Sequence, residues 1–244
     1  MGNPVTWFEV NEPDPEQAAK FHSELFGWHT EWMPESNYAL IDTHSGKGIN
    51  GGFGKTQQGQ SPGSIFYVED PDIQGLLDKA GSLGAKTVMP VTEIPDMVTF
   101  ALFADPFGNV IGLVKGDGTV KVSGGDNPAV DWFEVSCSEP QRAWEFYRGL
   151  FGWKIEGSES GGLVHGQVDT GGSAGARGGI GGSPDGKSRV TIYASVDDLQ
   201  KYLERAESLG GKITLQPMGV DEHTSIAAFQ DPQGNEFGLY AYAH

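Results

Sequence analysis

The sequence predicts an α+β chain made of four strand–helix–strand units that form two tandem domains. Three observations predict this fold class. The chain repeats itself, the same order of strands and helices recurs within each half, and a segment rich in Gly, Asp and Ser separates the halves. That segment, KGDGTVKVSGGDNPA at 115–129, has the composition of a linker.

The internal repeat covers both ends of each half. TWFEVNEPDPEQAAKFHSELFGW at 6–28 matches DWFEVSCSEPQRAWEFYRGLFGW at 131–153, an offset of 125 residues. IFYVEDPDIQGLLDKAGSLGAK at 65–86 matches TIYASVDDLQKYLERAESLGGK at 191–212, an offset of 126. Such self-similarity is typical of a duplicated domain.

The first unit of each half begins with a strand that leads into a helix. Residues 5–10 alternate with β-favouring types and predict the strand. Asp14, Pro15 and Gln17 then predict a helix start, because they supply a capping side chain, a first-turn proline and a capping-box partner. Gly27 predicts the helix end.

The rest of the first half is predicted by the same kinds of signal. We expect strands at 38–43, 64–69, 99–105 and 109–114, and a helix at about 72–83 that Gly84 ends. The second half repeats the order. We therefore predict one domain at 1–118, a linker at 119–128 and a second domain at 129–244.

A glycine lies in the middle of the last strand of each half. Gly112 follows the turn in DPFGNVIGLV (105–114), and Gly238 follows the turn in DPQGNEFGLY (231–240). A strand glycine often marks a close approach of other groups. Two interpretations stay open: the missing side chain leaves room for a ligand, or glycine relieves crowding where the sheet bends.

The composition excludes several classes of protein. Acidic residues number 33 and basic residues 16, a formal net charge of −17, which argues against binding to nucleic acid or to anionic membranes. No apolar stretch approaches the length of a transmembrane helix, and the N-terminus shows no signal peptide. The single cysteine, Cys137, is expected in the core and fits a cytoplasmic location.

The motifs WFEV, FHSELFGW, LGAK and DPFGNVIGLV resemble the vicinal oxygen chelate superfamily. This superfamily includes glyoxalases, bleomycin-resistance proteins and extradiol dioxygenases. The tandem form also resembles two-domain actinobacterial glyoxalase-like proteins of the secreted-antigen type. The resemblance implies four βαβββ modules in two tandem glyoxalase-like domains with cup-shaped mixed sheets. One fold of this kind hosts many chemistries.

The resemblance also implies where metal ligands would lie in an enzyme of the superfamily. His, Gln or Glu is expected on the opening strands and after the Asp-Pro-x-Gly turn. This sequence has other residues at the six corresponding positions, which are Trp7, Trp132, Ile65, Thr191, Gly112 and Gly238. Only Thr191 offers even a hydroxyl. We therefore predict no metal at the usual site and no cofactor, with a divalent metal only at a non-standard site.

Glu9 and Glu134 are the candidate catalytic residues. Each lies two positions after a tryptophan, Trp7 or Trp132, so strand alternation places it on the same face as the indole. A carboxylate in a partly dry cavity can act as a base or bind a cation. The alternative is a structural carboxylate that was copied when the module was duplicated.

Further residues are candidates for ligand binding. Tyr67 and Tyr193 lie at repeated strand positions and would form an aromatic wall with the tryptophans, although strand aromatics are often ordinary core. His165 is expected to face the cup, in a composite site with Glu134 and Gln167. Arg177 would meet an anionic group if its loop folds over the cup. His22 is expected on the surface or packed against its helix. The ligand-binding set comprises Trp7, Trp132, Tyr67, Tyr193, Thr191, His165 and Arg177.

Three functions compete. The first is a small-molecule binding protein whose usual metal ligands are lost, as the resemblance to bleomycin-resistance proteins implies. The second is a glyoxalase- or dioxygenase-like enzyme with a non-standard metal or carboxylate site. The third is a structural role with filled cups. We favour the first, with a small molecule as the partner and a chain that is a monomer or a homodimer.

Overall fold

The fold is described by a computed structural model that covers residues 2–56, 62–160, 162–172 and 175–242. These residues contain sixteen strands and four helices in the order βαβββ repeated four times. The first half comprises β1 (Val5–Glu12), α1 (Pro15–Phe26), β2 (His29–Met33), β3 (Tyr38–Asp42), β4 (Asn50–Lys55), β5 (Gly63–Asp70), α2 (Ile73–Ser82), β6 (Lys86–Ile94), β7 (Val98–Ala104) and β8 (Val110–Lys115).

The second half repeats this order, which confirms the predicted α+β class. Its elements are β9 (Ala129–Cys137), α3 (Pro140–Phe151), β10 (Lys154–Ser160), β11 (Leu163–Asp169), β12 (Arg177–Gly182), β13 (Arg189–Ser195), α4 (Leu199–Ser208), β14 (Lys212–Gly219), β15 (Thr224–Gln230) and β16 (Glu236–Tyr242). We number the modules one to four along the chain, each with one helix and four strands.

The strands form two mixed eight-stranded sheets. One has the order β2-β3-β4-β1-β5-β8-β7-β6, and the other has the equivalent order β10-β11-β12-β9-β13-β16-β15-β14. Within a module the later strands pair antiparallel, whereas β5 pairs with β8, and β9 with β12, in parallel. In each parallel pair, the connection between the two strands includes the helix of the module.

The chain divides into two compact units. The first compact unit comprises Met1–Trp7, Ile65–Val120 and Trp132–Val190, which are mainly modules two and three. The second compact unit comprises Phe8–Ser64, Lys121–Asp131 and Thr191–His244, which are mainly modules one and four. The domain boundaries drawn from the repeat, 1–118 and 129–244, remain a prediction about the duplicated segments.

The helix signals read from the sequence operate as expected. Asp14 caps α1 by accepting a hydrogen bond from the backbone N–H of Gln17 at 3.1 Å, and Gly27 ends the helix in the left-handed region at φ 79°. The turn after β7 is closed by Asp105, whose Oδ1 accepts from the backbone N–H groups of Phe107 and Asn109 at 2.9 and 2.8 Å. None of the four helices in the described part of the chain has the length and apolarity needed to span a bilayer.

The cores are rich in aromatic side chains. Cys137 is fully buried, as predicted, and burial raises the pKa of its thiol. Of the two predicted environments of His22, surface or packing against its helix, the second agrees with the structure: the side chain is buried, with its ring centroid 4.6 Å from that of Phe53 and 5.3 Å from that of Phe237. Its Nδ1 donates to the backbone oxygen of Ala18 at 3.0 Å, so the imidazole satisfies one nitrogen within its own helix.

Candidate functional site

The candidate site in the first compact unit begins on β9. Burial alternates along this strand: Phe133 and Val135 are buried, whereas Trp132 and Glu134 are partly exposed. Alternation places Trp132 and Glu134 together on one face of the sheet. Trp144 of α3 lies against the backbone of Gly166, the residue that follows His165 in β11. His165 therefore points to the face opposite α3, as Glu134 does.

The structure brings Glu134 and His165 into contact. Nε2 of His165 lies 2.9 Å from Oε1 of Glu134, and the indole N–H of Trp132 donates to Oε2 of the same carboxylate at 3.2 Å. The Glu134 side chain is 17% exposed and that of His165 is 43% exposed. The carboxylate is thus largely buried and hydrogen-bonded on both oxygens, while the imidazole remains accessible.

Glycines in β12 make this contact geometrically feasible. Gly179 is paired with Glu134 in the parallel register and with Gln167 in the antiparallel one. A Cβ at Gly179 would overlap Nε2 of His165 and Oε2 of Glu134, and one at Gly181 would lie 3.2 Å from Cδ2 of His165. The two glycines therefore provide the space in which the carboxylate and the imidazole meet.

The carboxylate governs the protonation of the imidazole. The hydrogen bond to Glu134 raises the pKa of His165, partial burial lowers it, and the charge of Glu134 raises it further. Glu134 also fixes which nitrogen carries the proton: Nε2–H is held by the carboxylate. A carboxylate–imidazole pair of this kind can donate or accept a proton near neutral pH.

Replacing Glu134 with glutamine should lower the pKa of His165 toward its ordinary value of 6.5. The amide removes the negative charge and the charge-assisted hydrogen bond that stabilise the imidazolium. An NMR titration of the His165 ring protons measures the change. Glu9→Gln is the matched control, since it removes the equivalent carboxylate of module one and should leave the His165 titration unaltered. An unchanged pKa in Glu134→Gln would contradict the pairing.

Two further predicted residues lie on the same face. Arg177 opens β12 directly opposite Trp132, and it alternates with Gly179 so that its side chain shares the Glu134 face. Gln167 lies two residues after His165 in β11 and also shares this face. Both are exposed. Arg177 belongs to the Gly-rich run at 170–186, of which residues 173 and 174 lie outside the described part of the chain.

In the second compact unit, the equivalent carboxylate, Glu9, has different hydrogen-bond partners. Its Oε1 accepts a hydrogen bond from Nδ2 of Asn11 at 3.1 Å, and its Oε2 accepts from the hydroxyl of Tyr38 at 3.2 Å. Tyr38 occupies the β3 position that corresponds to His165 in β11. The duplicated carboxylates therefore have an imidazole partner in one unit and a phenol and an amide in the other.

The structure shows what lies beside the strand glycines Gly112 and Gly238. Gly112 pairs with Tyr67, and Gly238 pairs with Tyr193, each across two parallel strands. A Cβ at either glycine would overlap the ring of its paired tyrosine. The interpretation that these glycines leave room for a ligand is wrong, because a tyrosine ring occupies the space in both units.

The remaining predicted ligand-binding residues are mostly covered. Tyr67 is buried together with Ile65 and Leu102, and Trp7 packs against this apolar cluster. Thr191 is buried in the second compact unit. Tyr193 is partly exposed, beside Gly238. Among the predicted site residues of the first compact unit, the accessible polar side chains are thus Glu134, His165, Gln167 and Arg177. Together with Trp132, which shares their side of the sheet, we call them the module-three face.

Three of the residues at the metal-binding positions that the resemblance implies offer no side-chain ligand. Ile65 has no donor atom, and Gly112 and Gly238 are covered by tyrosine rings. Divalent metals in such sites require several nitrogen or oxygen ligands directed at one point. Over the described ranges, no three side chains of the His, Cys, Asp and Glu types cluster in a way that would hold a metal ion.

The structure also contains a polar cluster that the sequence interpretation missed. Glu12 of β1 is fully buried in the second compact unit, close to Asp231 and Asn235 of the Asp-Pro-x-Gly-Asn turn. Module three has Cys137 at the position of Glu12 and Tyr147 at that of His22. The hydroxyl of Tyr147 donates to Asp105 at 2.8 Å. The repeat could have indicated this cluster, because it aligns Glu12 with Cys137, a residue expected in the core.

A surface depression of about 570 Å³ lies elsewhere in the second compact unit. It is lined by residues of α1, β2 and β3, including Lys20 and Trp32, and by none of the predicted site residues. The depression is therefore a feature of the outer side of α1, and the candidate site rests on the sheet face opposite the helix.

Comparison with protein families and curated proteins gives a consistent picture. Residues 129–239 match the model of the Glyoxalase/Bleomycin resistance protein/Dioxygenase superfamily. A Mycobacterium tuberculosis protein named "Putative glyoxylase CFP32" is 24% identical over 253 aligned positions, which cover 98% of this chain and 94% of that protein. The anthracycline biosynthesis protein DnrV of Streptomyces peucetius is 26% identical over 126 positions, 45% of each chain.

Solved structures agree on the fold. The Mn(II)-bound glyoxalase from Novosphingobium aromaticivorans superposes with a TM-score of 0.73 at 13% identity, over 98% of this chain and 82% of that one. The halotolerant catechol dioxygenase BphC gives 0.69 at 14% identity, over 100% and 89%. At these identities the likeness concerns the architecture, which is that of tandem paired modules.

Proposed function

Residues 129–239 match the glyoxalase/bleomycin resistance protein/dioxygenase superfamily, and we propose that this chain is a member of it and a small-molecule binding protein whose usual metal-ligand positions have been lost. The proposal rests above all on the pairing of Tyr67 with Gly112 and of Tyr193 with Gly238. In each repeat, a phenol ring lies where the superfamily would offer a carboxylate. Restoring a ligand there would require both a new side chain and the removal of the ring.

The module-three face has the groups that a ligand site needs. Trp132 offers apolar area and an aromatic ring, while Glu134, His165 and Arg177 offer hydrogen-bond donors and acceptors of both charges. Each of these polar side chains is at least partly accessible. A small planar molecule is the partner we propose, and the cytoplasm is the compartment in keeping with the single buried cysteine.

A second function is favoured by one observation, the 2.9 Å contact between His165 and Glu134. A carboxylate that orients an imidazole and raises its pKa is a recurrent arrangement for general acid–base catalysis. An enzyme of this type would transfer a proton at Nδ1 of His165, with Glu134 as the residue that holds Nε2–H. This alternative uses a carboxylate site in place of the superfamily's metal site.

Metal analysis tests the proposal. The purified chain is incubated with Zn, Ni, Mn or Fe(II), freed of excess ion, and analysed by mass spectrometry. We expect well below one ion per chain for every metal. A stoichiometric ion that survives would contradict the loss of the ligand positions. The double variant Tyr67→Ala/Gly112→Glu is the matched comparison, since it removes the ring and adds the carboxylate at one repeat.

A further inference from the structure

The two duplicated carboxylates lie in surroundings of different charge. In module three, the positions around Glu134 hold the cationic or protonatable side chains His165 and Arg177. The corresponding positions of module one hold the neutral side chains Tyr38 and Asn50. The duplication therefore provides an internal comparison: one scaffold, one carboxylate, and two different sets of partners.

The neutral side chains of module one have structural roles. Oδ1 of Asn50 accepts from the backbone N–H of Thr43 at 3.0 Å, and its Nδ2 donates to the backbone oxygen of Lys121 at 3.1 Å. The hydroxyl of Tyr38 donates to Glu9 at 3.2 Å. Asn50 therefore holds neighbouring backbone together.

Arg177 differs from Asn50 in its exposure and in its neighbours. It is exposed, and it is paired in register with Trp132, so its guanidinium and the indole share one face of the sheet. The next residue on that face is Gly179, which lies under the contact between His165 and Glu134. The side chains of Trp132, His165 and Arg177 thus lie around Gly179, which has no side chain to fill the space between them.

The charges of this face favour an anion. When His165 is protonated, it neutralises Glu134, which it contacts at 2.9 Å. Two further carboxylates share the face. Glu156 on β10 is opposite Gln167, two residues along β11 from His165. Asp169 follows on β11, where the register of β11 and β12 places it across from Arg177; it is paired in register with Lys154, and it accepts a hydrogen bond from the backbone N–H of Gly171 at 2.9 Å. With Lys154 beside Asp169, the guanidinium of Arg177 supplies the positive charge beside the indole. Arginine is well suited to pair with a carboxylate through two parallel hydrogen bonds.

We propose that the module-three face binds a planar carboxylate, with Arg177 pairing the carboxylate, Trp132 packing against the planar part and His165 donating a hydrogen bond. The proposal rests on the proposed function, because it names the ligand class of that same site. Module one lacks both cationic groups, so each chain should bind one such anion. The module-three face would recognise the carboxylate by its charge and its planar shape. Module one has the neutral side chains Tyr38 and Asn50 at the equivalent positions and should not bind it.

The test compares two isosteric probes, 2-naphthoate and its neutral analogue 2-naphthamide, by isothermal titration calorimetry on the full chain. We expect naphthoate to bind one site per chain and about tenfold more tightly than naphthamide, the ratio expected for a hydrogen bond to a charged group. Arg177→Asn, which introduces the residue of module one, should remove this preference by weakening the binding of naphthoate. His165→Tyr should weaken the preference in the same direction.

Arg142→Asn is the matched control. It removes one positive charge from the same compact unit, but Arg142 is exposed on α3 and paired with Glu139 at 2.6 Å, away from the module-three face. It should preserve the preference for naphthoate. Equal affinities of the wild-type chain for the two probes would overturn the carboxylate proposal while leaving small-molecule binding in place. An intact preference in Arg177→Asn, or its loss in Arg142→Asn, would overturn it as well. Binding of neither probe would count against the proposed function too.

Discussion

Replacing Glu12 with glutamine should remove most of the alkaline destabilisation of this protein. Glu12 is fully buried, and among the described residues neither of its oxygens accepts a hydrogen bond of ordinary geometry; the nearby Asn235 side chain favours the charged form, but burial and Asp231 outweigh it. Oδ2 of Asp231 is likewise without a partner there. Protonation resolves both deficits, because the Glu12 O–H can then donate to the Asp231 carboxylate.

The sign of the pH dependence follows from the direction of the shift. Burial, followed by the hydrogen bond and the charge of Asp231, raises the pKa of Glu12 from 4.5 to about 9 in the folded chain. Between these values the folded state holds a proton that the unfolded state has lost, so the free energy of unfolding falls as pH rises. The contribution is complete below pH 4.5 and is lost by the time pH passes about 9.

Urea unfolding at a series of pH values measures this dependence. In the wild type, the free energy of unfolding should fall by several kcal/mol across the interval, since one pKa unit corresponds to about 1.4 kcal/mol. Glu12→Gln keeps a donor for Asp231 and has no proton to lose, so its curve should be flat by comparison. Glu31→Gln, an exposed carboxylate in the same compact unit, is the control and should follow the wild type. Parallel curves for wild type and Glu12→Gln would show that Glu12 does not carry the effect.

Adding a single methyl group at Gly112 should destabilise the protein by about 1–3 kcal/mol, the usual penalty for overpacking a core. The Cβ of Gly112→Ala would overlap the Tyr67 ring, and Tyr67 is itself packed in a buried cluster with Ile65 and Leu102. The ring therefore has little freedom to move away. Thermal or urea unfolding measures the loss, and Gly238→Ala should repeat it against Tyr193.

Gly81 provides a control of opposite sign. It lies in α2, and a Cβ there would meet open space. Gly81→Ala should therefore stabilise the chain by roughly 0.5–1 kcal/mol, because alanine is the better helix former. The double variant Tyr67→Val/Gly112→Ala should lose less stability than the two single changes added together, since the smaller side chain vacates the space. Strict additivity would mean that the ring does not fill the position beside Gly112.

Much of the fold could be predicted from the sequence because its signals are local or periodic. The repeat, the cap at Asp14, the stop at Gly27 and the Asp105 turn depend on backbone chemistry within a few residues. The shared face of Trp132 and Glu134 depends only on strand alternation. The resemblance to the superfamily, which the family model matches over residues 129–239, depends on the same motifs.

Other features were beyond the sequence because they depend on which strands become neighbours. His165 reaches Glu134 only because β12, with glycines at 179 and 181, lies between β9 and β11. For His22 both a surface position and packing against its helix were open, and the phenylalanines that enclose its ring come from distant segments. No pattern within α1 marks that environment.

The sequence by itself determined the duplicated α+β architecture, because this architecture follows from residue identities at fixed spacings. Only the tertiary structure decided what fills the space beside Gly112 and Gly238 and which carboxylate acquires an imidazole partner. It also decided that Glu12 is buried, because Glu12 packs near the turn that contains Asp231, more than two hundred residues away in the sequence. Desolvation and strand neighbourhood are properties of the assembled chain, and they set the chemistry of these side chains.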